Sequence, residues 1–149
     1  MTSTNSTSIK RPVSVADCHL IELPRINDPR GNLTYIESDR QIPFALKRVF
    51  YLYDVPGGAM RAGHALKSCH QFIVANSGSF DAIIDDGFEK RRFPLNRSYL
   101  GLYVPPLLWR EMENFSYGSV CTVLASEFYD ETDYIRDYQE FLSTARSGR

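Results

Sequence analysis

Turn-forming residues interrupt this chain every few positions, and the apolar stretches between them alternate with a period of two, so its apolar side chains can be buried in sheets but not in long helices. Residues 18–23, CHLIEL, form the first alternation. The turn formers of NDPRG at 27–31 follow, and residues 31–37 resume the alternation, which predicts a hairpin. A β-branched and aromatic run covers 46–53, with Lys47 and Arg48 set into it. Residues 80–85 and 88–93 flank Asp85-Asp86-Gly87, a hairpin signal. Further strands are expected at 99–104, ended by Pro105-Pro106, and at 107–112 and 120–125. From Tyr129 the character changes: Asp130 or Thr132 can cap a helix on which Tyr134, Ile135, Tyr138 and Phe141 recur at helical spacing. Roughly nine short strands without interspersed helices mean an all-β sandwich or barrel. The chain's size, and the gathering of polar residues in a few strands as if lining a cavity, favour a double-sheet jelly roll with a short C-terminal helix.

At 149 residues the chain is long enough for one ordinary domain. Its first 14 residues are rich in Ser, Thr and Asn and read as a flexible tail, leaving 15–149 as the single domain. Lysine and arginine total 17 against 18 acids, which argues against a general nucleic-acid grip and against an anionic membrane surface. The amino end lacks the apolar core of a secretory signal, and no later run is long enough to span a bilayer, so a cytoplasmic protein is expected. Cys18, Cys69 and Cys121 are odd in number and widely spaced, which fits reduced thiols serving as small apolar residues.

Polar chemistry concentrates between Arg61 and Phe80, in RAGHALKSCHQFIVANSGSF. His64 and His70 are two of only three histidines, and histidine is the side chain that exchanges a proton near neutral pH. In an unbroken strand His64, Leu66, Ser68 and His70 would share one face, with Arg61 and Gln71 on the other. His64 and His70 are therefore the candidate catalytic residues. Arg48, Tyr51, Arg61, Gln71, Tyr103 and Arg110 are the candidate substrate-binding residues. His19 is given no role.

The spacing from His64 through His70 to Gly78 resembles the first motif of the cupins. Leu66 stands at that motif's second histidine and His70 at its glutamate, while Trp109-Arg110 lies where a last histidine ligand would fall, so no metal is expected. A more extensive resemblance covers almost the whole chain after the tail. DPRGNLTYIE, IPFALKRVFYLYDV, RAGHALK, SGSFDAIIDDG, LGLYVPPLLWREM and LASEFYDETDYIRDYQEF together resemble the FdtA and QdtA type of sugar 3,4-ketoisomerase.

That resemblance implies an RmlC-like cupin that forms a metal-free homodimer with an exchanged N-terminal strand. It also implies action on dTDP-4-dehydro-6-deoxyglucose, for 3-amino sugars of surface polysaccharide such as lipopolysaccharide O-antigen. It places the catalytic base at His64, sugar-nucleotide contacts at Arg48 and Arg61, and at Arg110 a position that is histidine or arginine in the family. Leu66 departs from the usual GxHAHK string, and His70 is the residue that could take over from the missing histidine.

Moving a carbonyl from C4 to C3 needs a base for the C3 proton, stabilisation of the enediolate, and a proton returned at C4. One imidazole can serve both carbons. Arg61 or Arg110, with Tyr51 or Tyr103, would act where negative charge develops, and Lys47, Arg48 and Arg61 suit the diphosphate. The isomerisation is internally redox-balanced, so no cofactor is expected. Two other functions fit the same residues less fully: a dTDP-4-keto-sugar epimerase, or a non-catalytic nucleotide-sugar-binding cupin.

Overall fold

A computed structural model of the chain describes residues 11–147. Twelve strands and one helix follow in order: β1 His19–Glu22, β2 Arg25–Ile26, β3 Leu33–Thr34, β4 Arg48–Leu52, β5 Arg61–Leu66, β6 Gln71–Ser77, β7 Phe80–Asp85, β8 Lys90–Leu95, β9 Leu100–Val104, β10 Trp109–Glu113, β11 Val120–Ala125, β12 Tyr134–Ile135 and α1 Tyr138–Arg146. Two five-stranded sheets, in the orders β1-β9-β6-β11-β4 and β12-β5-β10-β7-β8, face each other, and every pairing in them is antiparallel. This is the double-sheet jelly roll that the alternation predicts.

Alternate residues of the central strands fill the space between the sheets: Ile73 and Ala75 of β6, Leu102 and Val104 of β9, Cys121 and Val123 of β11, against Ala82 and Ile84 of β7 and Met112 of β10. Burial of these apolar faces is the main stabilising term. The outer face of the first sheet, with Phe72, Val74 and Leu124, is covered by Leu23, Ile42 and Phe44. The outer face of the second, with Ala65 and Trp109, is covered by Ile135 and by Phe141 of α1. All three cysteines are buried and unpaired, as the sequence predicts. No helix among the described residues is long and apolar enough to cross a membrane.

Three boundaries differ from expectation. The predicted hairpin pairs only at its tip, Arg25–Ile26 with Leu33–Thr34, because β1 is taken up by β9 instead, with His19 opposite Tyr103. Of the expected tail, residues 1–10 lie outside the described residues. Residues 11–14 are anchored: Arg11 pairs with Asp17, Val13 packs against the core, and Ser14 forms a capping box with Asp17. The C-terminal helix begins later than its apolar spacing suggested. Asp130 caps a single 3-10 turn, Tyr134 and Ile135 pair with Leu66 and Ala65 as β12, and Asp137 caps α1 by accepting from the amides of Gln139 and Glu140.

Candidate active site

Between the two sheets, lined from β4, β6 and β11 on one and from β5, β10 and β12 on the other, lies a cavity of about 220 Å³. It is lined by Arg61, His64, Gln71, Arg110, Tyr134 and Arg136, with Phe50, Leu52, Met112 and Val123 as its apolar wall.

Two local features bring these side chains together. In β5, Ala62 (φ 68°) and Gly63 (φ 78°) both take left-handed backbone, and the pairing with β10 slips there, so that Arg110 faces His64 while Glu111 faces Ala62. This bulge inserts an extra residue, and as a result Arg61 and His64, of opposite parity, both reach the cavity. A left-handed alanine costs energy that its surroundings must offset, as is common where a strand is bent to aim a side chain.

The second feature is the corner at residues 67–70, where the chain crosses from one sheet to the other. The Asp133 carboxylate accepts from the Ser68 amide (2.9 Å), the Ser68 hydroxyl (2.7 Å) and the Cys69 amide (3.2 Å). The His70 amide donates to the Ser126 hydroxyl. After the corner Gln71 points inward and His70 outward.

The expected shared face of His64, Leu66, Ser68 and His70 is therefore corrected, because the strand is broken between Leu66 and Gln71. His70 lies on the outer side of the first sheet, stacked near Tyr103, with a 2.7 Å hydrogen bond between its Nδ1 and the Tyr103 hydroxyl, and with Phe44 beyond. Tyr103 is thus not in the cavity. Neither is Tyr51, which is 60% exposed on the outer face of β4 beside Tyr53. Arg48 does not line the cavity, although its charge acts on His64; its guanidinium lies 5.6 Å from the Tyr129 ring and its Nε is buried without a partner. Of the eight residues singled out from sequence, the structure brings His64, Arg61, Gln71 and Arg110 together in the cavity lining and leaves Arg48, His70, Tyr51 and Tyr103 outside it. Leu66 is fully buried against Cys69, Ala125 and Tyr134.

Tyr134 and Arg136 were missed by sequence reasoning. Tyr134 meets the His64 ring edge to face at 4.8 Å, and the Arg136 guanidinium lies 4.4 Å over the Tyr134 ring. A usable signal was present, since Asp137 followed by Glu140 is itself a helix-start pattern and frees 134–136 from the helix.

The electrostatics centre on Arg110, which is 1% exposed. It donates from Nη1 to Gln71 Oε1 (2.7 Å) and from Nη2 to the Leu108 carbonyl (3.1 Å), and its Nε is buried without a partner. Among the described residues no carboxylate forms an ion pair with it. Burial pulls its pKa down to about 10. Burial also lowers His64 to about 3, and the charges of Arg110 and then Arg136 add to that effect. His64 is therefore a neutral imidazole at neutral pH, with Nδ1 buried and unpartnered. The Gln71 amide nitrogen is likewise buried without an acceptor. A neutral imidazole thus faces a buried cation and unused N–H donors, an arrangement suited to holding an anion formed beside it, while burial and the nearby cations make His64 a weaker base than a free imidazole. Among the described residues no three His, Cys, Asp or Glu side chains group as metal ligands.

Residues 16–146 match the family described as FdtA: WxcM-like, C-terminal. The chain belongs to that family. Within it, the chain is 45% identical over 122 residues to the TDP-4-oxo-6-deoxy-alpha-D-glucose-3,4-oxoisomerase of Aneurinibacillus thermoaerophilus, covering 82% of this chain and 88% of the relative. QdtA, a sugar 3,4-ketoisomerase from Thermoanaerobacterium thermosaccharolyticum solved in complex with TDP, superposes with a TM-score of 0.87 at 41% identity, over 89% of this chain and 97% of that one. The dTDP-4-dehydrorhamnose 3,5-epimerase of Bacillus anthracis shares the fold, with a TM-score of 0.71 at 16% identity over 83% and 81% of the two chains.

The burial of His64 beside Arg110 yields a direct prediction. A histidine whose folded pKa lies below its unfolded value of about 6.5 adds stability that is present above that pH and lost as pH falls toward the folded pKa. The His64 ring should thus stay neutral from about pH 8 to about pH 5 in an NMR titration, and Arg110→Gln should raise its pKa by removing a like charge. Titration of His64 near 6.5 in the wild type would contradict the site's electrostatics.

Proposed function

We propose that this chain is a sugar 3,4-ketoisomerase that moves the keto group of dTDP-4-dehydro-6-deoxyglucose from C4 to C3, with His64 as the acid–base group. The observation that carries this is the neutral, largely buried His64 set opposite Arg110, a buried cation with no carboxylate partner. At about 220 Å³ the cavity falls below the usual range for a whole drug-sized ligand, so it accommodates the hexose while the nucleotide extends past the mouth. Arg61, in the cavity lining, and Arg48, outside it, are the cations assigned to the diphosphate in this reading.

The steps balance without a redox partner. His64 takes the C3 proton, the C3–H electrons form the C3=C4 bond, and the C4 carbonyl becomes an oxyanion. Arg110 is placed to hold that charge electrostatically, and the Gln71 amide nitrogen is placed to donate to it. The C3 hydroxyl proton passes to the C4 oxygen, C3 becomes the ketone, and the His64 imidazolium returns its proton to C4. Buried beside Arg110, an imidazolium is disfavoured, which favours that return.

His70, bonded to Tyr103 away from the cavity, takes no part in this transfer, and neither Tyr51 nor Tyr103 contacts the reacting hexose. Nothing beyond a shared fold speaks for the epimerase. For a non-catalytic cupin only Leu66 speaks, and the His64–Arg110 pair does not need a second histidine. The substrate class fits a cytoplasmic place in making 3-amino sugars for surface polysaccharide such as O-antigen.

His64→Asn should slow exchange of the substrate's C3 proton with deuterated solvent by ~10²–10⁴ while leaving dTDP affinity close to wild type, because asparagine keeps polarity but cannot act as a base. Exchange by the asparagine variant at the wild-type rate, or tight dTDP binding by wild type with neither exchange nor carbonyl migration, would remove the proposal.

We further propose a homodimer with exchanged N-terminal strands. β1 sits at a sheet edge, and Leu20, Ile26, Leu33, Val49 and Tyr51 leave apolar surface exposed. Sedimentation at micromolar concentration should give twice the chain mass, and a monomer would contradict it.

A further inference from the structure

The segment at residues 129–136 holds an assembly to which neither the fold nor the proposed proton transfer yet gives a task. The Glu131 carboxylate grips Arg136 with both oxygens, Oε1 to Nε at 2.6 Å and Oε2 to Nη2 at 2.9 Å, and it also accepts from the Tyr129 hydroxyl. The two side chains are 52% and 57% exposed, and ion pairs that open to water add little to stability. A fork-on-fork pair is nevertheless geometrically specific.

What the pair fixes is a ring. Arg136 is held over Tyr134 at 4.4 Å, and Tyr134 is the aromatic that meets His64 at 4.8 Å, at an interplanar angle of 63°. Among the described residues no hydrogen bond restrains the His64 ring at its buried Nδ1. Its orientation is therefore set by packing, and Tyr134 is the aromatic packed on it. Tyr134 in turn rests on Leu66, Cys69 and Ala125.

We propose that Arg136, clamped by Glu131 onto Tyr134, is a positioning residue that fixes the His64 ring for proton transfer. Its charge is already matched by Glu131, so its task differs from that of the cavity's other arginines. The groups facing His64 are Arg110 from β10, Arg61 from its own strand, Arg48 from β4, Gln71 from β6, Tyr134 from β12, and the Arg136–Glu131 pair beyond it. Of the charged groups among these, Arg136 is the one set directly over the ring that touches His64, at 4.4 Å from Tyr134, whereas Arg48 reaches that ring only by way of Tyr129. The inference rests on the ketoisomerase reading for its kinetic effect, and on the ring environment alone for its spectroscopic one.

The test compares Arg136→Gln, Glu131→Gln and the double variant with wild type. Each single change should lower kcat by ~10-fold, in line with what slight misplacement of a catalytic group costs, and should shift the His64 ring resonances, while the dTDP dissociation constant stays within ~3-fold. The double variant should be no worse than either single one, since both remove the same clamp. Arg136→Lys keeps the charge but not the fork, and should fail to restore kcat. Unchanged kcat and unchanged His64 resonances would overturn the inference, as would a loss confined to dTDP affinity, which would make Arg136 a diphosphate ligand. If wild type binds dTDP yet shows no turnover, the ketoisomerase reading alone fails and the His64 resonances decide the positioning claim.

Discussion

A guanidinium buried at 1% exposure with only an amide oxygen and a backbone carbonyl as acceptors is costly, because a charge removed from water is ordinarily paired with an opposite one. Arg110 persists in that state because β10 is held on both sides, by β5 and β7, and cannot move the side chain to solvent without losing its register. The cost shows in its pKa, brought down to about 10, and the rest of the site follows from the same charge. Arg110 disfavours an imidazolium at His64, leaves its own Nε unpartnered, and supplies positive potential where an anion would form. The cavity is thus preorganised for a negative charge that the free protein does not contain.

Delivering His64 to that charge required departures from a regular sheet. The left-handed pair Ala62-Gly63 rotates β5 so that a residue of the wrong parity turns inward, and the Asp133-capped corner then returns the chain to the opposite sheet with Gln71 inward. Asp133 belongs to the same segment as Tyr134 and Arg136. The C-terminal strand therefore braces the corner and covers the base together, which explains why the string YDETDYIR is both structural and part of the cavity wall.

The jelly roll was legible in the sequence because period-two alternation and turn residues report local backbone preference directly, as at residues 80–85 and Asp85-Asp86-Gly87. Which side chains meet was less legible. Parity correctly relates residues only within an unbroken strand, so it failed for His70 across the corner, and for Arg61 and His64 across the bulge. Tyr51 and Tyr103 were chosen for their chemistry, but each alternates to the outer face of its strand while Phe50 and Leu102 turn inward. Tyr134 and Arg136 were hidden by an apolar spacing shared between helix and strand; the Asp137 cap decided the boundary. His64, Arg110, Arg61 and Gln71 were legible as residues, and their contact was not.

The hexose is expected to react beside His64 and Arg110 inside the cavity and not beside His70 and Tyr103 on the outer face. The most direct measurement is a crystal structure of the His64→Asn protein with dTDP-4-dehydro-6-deoxyglucose bound. The account predicts the hexose between residue 64 and Arg110, with C3 and C4 turned toward the substituted side chain and the C4 oxygen toward Arg110 and Gln71. A hexose seated against His70 and Tyr103, or one in the cavity with C3 and C4 turned away from residue 64, would contradict it.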